Sequence, residues 1–234
     1  MSSLYHYTSG NSLLSILQSQ QLWATDIRFL NDYKELYRGL DVFESFSKCL
    51  VKRMSDDAEH LSKLIEVCVG NIRRNADLTL INLVSFSTEP DDLRQWMAYC
   101  NSGVGYCIEF DRDLLIPNRF HGFDNCLKLA SVEYIDSDIG SYDSKSLINF
   151  KDFLVESLSG LDECYSEGLL IERFSLKVNK FLLDSILLAA SIKPSEFSDE
   201  REVRLLYVGD NKESELSNPY MDGVREVYSK PALP

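Results

Sequence analysis

Strand-forming runs stand at both ends and in the middle of this chain, and two helical blocks separate them. Leu4 to Thr8 opens the sequence as a short strand. Leu80 to Ser87 and Gly105 to Phe110 follow in the middle, and Glu202 to Val208 with Val224 to Tyr228 close it. Leu22 to Thr25 and Lys128 to Ile135 are further strand candidates. Leu13, Leu14, Ile16 and Leu17 give a short amphipathic helix, and Asp92 to Tyr99 a second. Asp32 with Glu35 three residues on forms a capping box. It opens a helix through Leu36, Leu40, Phe43 and Leu50, and another helix covers Ala58 to Arg73. The second block, Lys145 to Ser159 and Glu163 to Ile192, carries Leu154, Leu158, Leu169, Leu170, Phe174, Phe181, Leu182, Ile186 and Leu187 at core-building spacing. Strand and helix do not alternate regularly, so the pattern predicts an α+β fold rather than a doubly wound sheet. We expect a single domain over residues 1–234, with helical blocks at about 31–74 and 145–192.

Charge narrows the function classes. The formal net charge is −13, and so acidic a surface repels phosphate backbones and anionic headgroups. General nucleic-acid binding and membrane binding are therefore not expected, although one base entering a pocket is compatible with the charge. No run is long and apolar enough to span a bilayer. Met1 to His6 lacks the basic start and apolar centre of a signal peptide. The six cysteines are scattered with no Cys-x-x-Cys pair, which predicts reduced thiols and a cytoplasmic location. Three histidines at no metal-like spacing argue against zinc, and no metal site is expected. Gly103-Val104-Gly105 precedes a strand where a dinucleotide fingerprint needs a helix. Phosphate-loop and nucleophile-elbow motifs are missing.

The chemistry-bearing pattern is a set of polar pairs two residues apart on otherwise apolar strands. Asp199-Glu200-Arg201-Glu202-Val203-Arg204 runs into Leu205-Leu206-Tyr207-Val208. Period two puts Val203, Leu205 and Tyr207 on one face and Glu200, Glu202 and Arg204 on the other. Two carboxylates at the mouth of a buried strand are costly unless something pairs or uses them. The plain explanation is a solvated charge run with Glu202 paired by Arg204 or Arg201. His6 and Thr8 form the second pair and Ser85 and Ser87 the third. Taken singly, His6 reads as a core histidine donating to a backbone carbonyl, the serines as space-filling hydroxyls, and Thr8-Ser9 as a helix cap. If their strands are neighbours, the three pairs line one cleft.

Several segments together resemble a widespread bacterial domain family of unknown function. They are Leu4-Tyr5-His6-Tyr7-Thr8, Leu22-Trp23-Ala24-Thr25, Leu30-Asn31-Asp32-Tyr33-Lys34-Glu35, Val84-Ser85-Phe86-Ser87, Gln95-Trp96-Met97-Ala98-Tyr99, Gly105 to Asp111, Lys193, and Glu200 to Arg204. That family in turn resembles a divergent branch of the ADP-ribosyltransferases, which implies a split mixed or antiparallel sheet and NAD as substrate. The resemblance assigns His6 and Thr8 to a ribose hydroxyl, Ser85 and Ser87 to the middle-strand Ser-x-Ser element, and Tyr7 or Trp96 to stacking on an NAD ring. Asn31 shapes the pocket edge. Glu202 would stabilise the oxocarbenium-like transition state, and Glu200 would orient or deprotonate the nucleophile. The match is a hybrid, because a first-strand histidine usually accompanies a middle tyrosine and Ser-x-Ser usually accompanies arginine. The implied activity is transfer of ADP-ribose to a macromolecular acceptor, as in toxin-like or phage-defence effectors, with a cognate inhibitor or regulatory partner conceivable. NAD glycohydrolysis and a non-catalytic nucleotide-sensing or protein-interaction module are the alternatives.

Overall fold

A computed structural model describes residues 3–30, 34–54, 59–75, 79–100, 105–115, 127–135 and 181–210. In chain order the elements are β1 (Ser3–Thr8), α1 (Gly10–Ser19), β2 (Thr25–Asp26), α2 (Glu35–Met54), α3 (Glu59–Asn75), β3 (Thr79–Ser87), α4 (Leu93–Tyr99), β4 (Tyr106–Asp111) and α5 (Arg112–Leu115). Then come β5 (Leu127–Ser131), β6 (Glu133–Ile135), a helix over 181–189 (α6), β7 (Ile192–Pro194), a 3-10 turn (Ser195–Glu200) and β8 (Glu202–Asp210). The protein is thus mixed α+β with an antiparallel main sheet. Asn31, Asp32, the expected helix Lys145 to Ser159 and the expected strand Val224 to Tyr228 lie outside the described residues.

Two compact units divide the chain. Met1–Tyr33, Leu78–Val132 and Glu196–Pro234 make the first, and Lys34–Asp77 with Glu133–Ser195 the second. The first unit holds a sheet in the order β4-β1-β3-β8-β5, with β2 also pairing with β3. One edge of β3 is filled by β8, from Thr79 opposite Asp210 to Ser87 opposite Glu202. The other edge is shared. Thr25 and Asp26 of β2 face Leu83 and Asn82, while β1 joins only through Tyr5 opposite Ser87. A gap in the ladder therefore falls around Ser85.

Strand alternation gives this sheet two unlike faces. Leu4, Leu22, Ala24, Val84, Phe86, Val203 and Leu205 form a buried cluster on one side, against which Ile16 of α1, Phe110, Leu115 and Leu129 pack. Burying a large aliphatic or aromatic side chain contributes about 1.5–3 kcal/mol, so this cluster holds the strands in register. The opposite face carries Ser85, Ser87, Glu202 and Arg204, with buried Leu83 and Leu206 further along. α1 starts at Ser9, whose hydroxyl accepts the Ser12 N–H at 3.2 Å, and ends at Gln20 with φ 55°. The expected strand Leu22 to Thr25 is shorter and shifted, because Leu22 and Ala24 enter the cluster from irregular backbone. Lys128 to Ile135 is two strands rather than one. β5 joins β8, β6 pairs in parallel with β7, and Val132 N–H donates to the Glu202 carbonyl between them.

The second unit is built on α2, α3, α6 and the β6–β7 pair. Leu36, Leu40, Phe43 and Phe46 on α2 and Ile65, Val69 and Ile72 on α3 are buried at helical spacing. Phe43 meets Phe181 with ring centroids 6.0 Å apart. Lys48 bridges Glu44 and Glu66, and Arg73 reaches Asp41 and Glu44, fastening α2 to α3. Gly39 lets α2 touch the backbone of α6, since a Cβ there would stand 2.0 Å from the Ala189 carbonyl oxygen. Among the described residues no helix is long and apolar enough to cross a membrane.

Candidate functional site

Position on adjacent strands decides which of the candidate residues meet. β1, β3 and β8 are neighbours, so the strands of His6, Ser85/Ser87 and Glu202 come together. Their centre is a polar triad of half-buried Ser85 with buried Glu202 and Arg204. Glu202 Oε1 accepts from Ser85 Oγ at 2.5 Å and from Arg204 Nε at 2.9 Å, while Oε2 accepts from Arg204 Nη2 at 3.0 Å. Arg204 is 1% exposed and Glu202 6%. A two-pronged guanidinium–carboxylate pair is the strong, directional form of a charge-assisted bond. It also gives the plain explanation of Glu202 a geometry, since Arg204 is its partner.

Glu200 departs from the expected pattern. It closes the 3-10 turn, and β8 begins only at Glu202. Between them Arg201 has φ 45°, a left-handed conformation that L side chains adopt at a cost. The period-two alternation that put Glu200 and Glu202 on one strand face is broken there. The Glu200 carbonyl instead accepts from Ser87 Oγ at 3.0 Å and Gln95 Nε2 at 3.3 Å. Ser87 Oγ in turn accepts the Glu89 N–H at 3.2 Å.

His6 stands across the sheet from the triad. It is two residues from Leu4 on β1, and its ring contacts Phe86 at a centroid distance of 5.8 Å, so it belongs to the apolar face. Its Nδ1 donates to the Ser85 carbonyl at 2.9 Å. A carbonyl only accepts, so the proton sits on Nδ1. That bond fills the gap where β1 and β2 share the edge of β3. Burial holds the imidazole below its ordinary value of 6.5, partly opposed by the bond to Ser85. The cleft expected from three polar pairs thus has Ser85, Ser87 and Glu202 on one face and His6 on the other, linked through the backbone of Ser85. Thr8, also buried, shares the His6 side by alternation.

Tyr7 points the opposite way, to the face of Ser85 and Ser87. Its hydroxyl donates to the Glu89 carbonyl at 2.7 Å and accepts the Asp92 N–H at 3.1 Å. Burial pushes its pKa up to about 12, so the phenol stays protonated. Trp96 of α4 packs edge-on against it, centroids 4.9 Å apart, and donates its indole N–H to Asp91 at 2.8 Å. The two aromatics thus pack on each other in a T. Asp92 caps α4 by accepting the Arg94 N–H. Burial raises the Cys107 thiol above its ordinary value, which makes it a poor nucleophile. Among the described residues no group of histidine, cysteine and acidic side chains is placed to hold a metal ion.

Gln95 was not singled out as a site residue by pattern. It is buried on a helix whose neighbours Leu93, Met97 and Tyr99 are exposed. Its sequence signal is membership of the segment Gln95-Trp96-Met97-Ala98-Tyr99 that carries the family resemblance, which gives it no role, and no period marks it.

Residues 95–205 match a family described as "Protein of unknown function (DUF2971)". The matched segment contains Gln95, Trp96, Glu200, Glu202 and Arg204, while His6, Ser85 and Ser87 precede it. No curated protein and no solved structure gives a significant match.

Proposed function

We propose that the protein is an NAD-consuming enzyme with an ADP-ribosyltransferase-like fold, transferring ADP-ribose to a macromolecular acceptor. The observation that carries this reading is the Ser85–Glu202–Arg204 triad. It is a carboxylate held by hydrogen bonds from Ser85 and Arg204 on the polar face of the antiparallel main sheet, next to the strand of His6. In the reaction the bond from the ribose C1′ to the nicotinamide nitrogen breaks. Its electron pair leaves with nicotinamide and neutralises the ring. An acceptor lone pair forms the new bond to C1′, and the acceptor's proton passes to Glu200 or to solvent. Positive charge gathers on the ribose in the transition state, as in glycoside cleavage. Glu202 stabilises that charge from a fixed position, and removing such a group typically costs about 100- to 1000-fold in rate. With water as acceptor, the same chemistry is NAD glycohydrolysis.

One observation favours a second reading. Arg204 already neutralises Glu202, and His6 is tied to backbone, so the triad also suits a non-catalytic module in which these groups lock the sheet. The assay is incubation with NAD labelled in the adenylate part, with and without cell lysate. Label retained on a macromolecule with matching nicotinamide release supports transfer, and free ADP-ribose supports hydrolysis. If folded wild-type protein neither binds nor consumes NAD in lysate, the enzyme reading fails and the module reading stands.

A further inference from the structure

The carbonyl of Glu200 is an unusual acceptor. It ends a 3-10 turn, where a backbone carbonyl ordinarily turns to water. Here two side chains converge on it from separate elements, Ser87 Oγ from the end of β3 and Gln95 Nε2 from α4. The next residue is Arg201, held at φ 45° although glycine is the residue suited to that conformation. A strained residue persists only where its surroundings fix it on several sides. Those fixings are on both sides of Arg201. Its N–H donates to the Ser198 carbonyl at 3.3 Å, its carbonyl accepts the Thr88 N–H at 3.1 Å, and its guanidinium pairs with Glu89. Arg94 pairs with Asp199, two residues before Arg201. The two ion pairs are largely solvated and contribute little. Of these contacts, the Gln95 amide is the buried side chain brought by α4.

We propose that Gln95, with Ser87, is a positioning residue for the Glu202 carboxylate. The pair of donors fixes the Glu200 peptide, which fixes the left-handed turn at Arg201, which starts β8 with Glu202 opposite Ser87 and its carboxylate against Ser85. Without the amide, residues 198–201 can relax toward ordinary φ values, and Glu202 loses its alignment by a fraction of a side-chain length. Misplacement of about 1 Å in a catalytic group costs roughly 100-fold in rate. The inference rests on the reading of Glu202 as the charge-stabilising group.

The test uses the full chain and two variants close to Gln95 in shape. Gln95→Met donates at no pH. Gln95→Glu cannot donate when ionised but can when protonated. With NAD as substrate we expect kcat to fall about 10- to 100-fold in both at neutral pH, with KM within about two-fold. As the pH is lowered, Gln95→Glu regains activity relative to wild type and Gln95→Met does not. Hydrogen exchange supplies the readout independent of catalysis. The amides of Thr88 and Arg201 exchange faster in Gln95→Met, while the β3–β8 ladder keeps its protection. Wild-type kcat in both variants, an effect on KM alone, or unchanged exchange at Thr88 and Arg201 overturns the proposal. Inactive wild-type protein refutes the enzyme reading, and exchange then still decides whether the clamp exists.

Discussion

The pairing of Glu202 with Arg204 makes a strong quantitative prediction. Arg204 is 1% exposed and Glu202 6%, and they meet through bonds of 2.9 and 3.0 Å. Removing one member of a buried pair strands the other charge away from water, at about 3–5 kcal/mol. Glu202→Gln and Arg204→Met should each lose that much. If the losses were independent, the double variant would lose about 6–10 kcal/mol, enough to unfold a domain whose whole stability is about 5–15 kcal/mol. A coupled pair behaves otherwise. The double variant removes both charges, so we expect it to be more stable than either single variant. Urea unfolding followed by circular dichroism measures the cycle. Thermal unfolding should show the single variants melting about 6–20 °C lower, taking roughly 2–4 °C per kcal/mol for a chain of this size. Single losses under about 0.5 kcal/mol, or a double loss equal to their sum, refute the reasoning.

The cycle also corrects how Glu202→Gln should be used as an activity probe. That substitution alone removes a carboxylate from chemistry and strands a buried guanidinium in one step. Loss of NAD turnover in the single variant therefore has two causes. The double variant with Arg204→Met separates them, because it lacks the carboxylate without a stranded charge. Folded protein without turnover then places the loss in the Glu202–Arg204 pair and not in a stranded charge.

Three other outcomes follow from single residues. Burial lowers the His6 pKa below 6.5, so the unfolded chain binds the more protons; this part of the stability is complete above 6.5 and is lost as pH falls below 6.5 through the lower folded-state value. The urea midpoint should therefore drop between about pH 8 and about pH 5.5, and His6→Asn, which can still donate to the Ser85 carbonyl, should flatten that drop; an unchanged slope removes His6 as the cause. Gly39→Ala would place a Cβ 2.0 Å from the Ala189 carbonyl oxygen, and backbone cannot swing aside. Overpacking of about 1–3 kcal/mol should outweigh the helix-propensity gain of about 1 kcal/mol, and a raised melting temperature would contradict this. Asn82 is fully buried, and among the described residues neither polar atom of its amide has a hydrogen-bond partner. Asn82→Val should stabilise the protein by about 1–3 kcal/mol, read from the denaturant midpoint, and a lower midpoint would mean that the amide is used.

Much of the architecture is readable from hydrophobic period. β1, β3, β4, α2, α3 and α4 fall close to where the sequence puts them; α2 and α3 bury a face at helical spacing, whereas α4 buries only Gln95 and β4 has no fully buried residue. Lys128 to Ile135 misleads because its strand-forming residues continue through Val132 while the pairing partner changes from β8 to β7. Pairing is a long-range property that no local window contains. Leu22 and Ala24 alternate like a strand, yet β2 covers only Thr25–Asp26, since burial of a side chain does not require a ladder bond.

The site was legible as composition but not as faces. Counting by twos from Glu202 back to Glu200 assumes extended backbone throughout, and one left-handed residue at Arg201 invalidates the count. Counting within β1 holds, and it carries His6 to the Phe86 side, away from Ser85 Oγ. What sequence could not supply is the junction at Ser85, whose hydroxyl faces the triad while its carbonyl holds His6. One residue thus connects the two faces of the sheet. The same bonds that make the triad look structural also suit it to catalysis. A carboxylate already oriented by Ser85 and two guanidinium nitrogens need not reorganise as positive charge develops beside it, and it is this fixed orientation that makes electrostatic stabilisation effective. Arg204 weakens the field of Glu202 but removes its freedom. A catalytic role therefore requires that holding the carboxylate in place outweighs its partial neutralisation. In that case Arg204→Lys, which keeps the charge but not the two-pronged grip, should lower kcat more than it lowers stability.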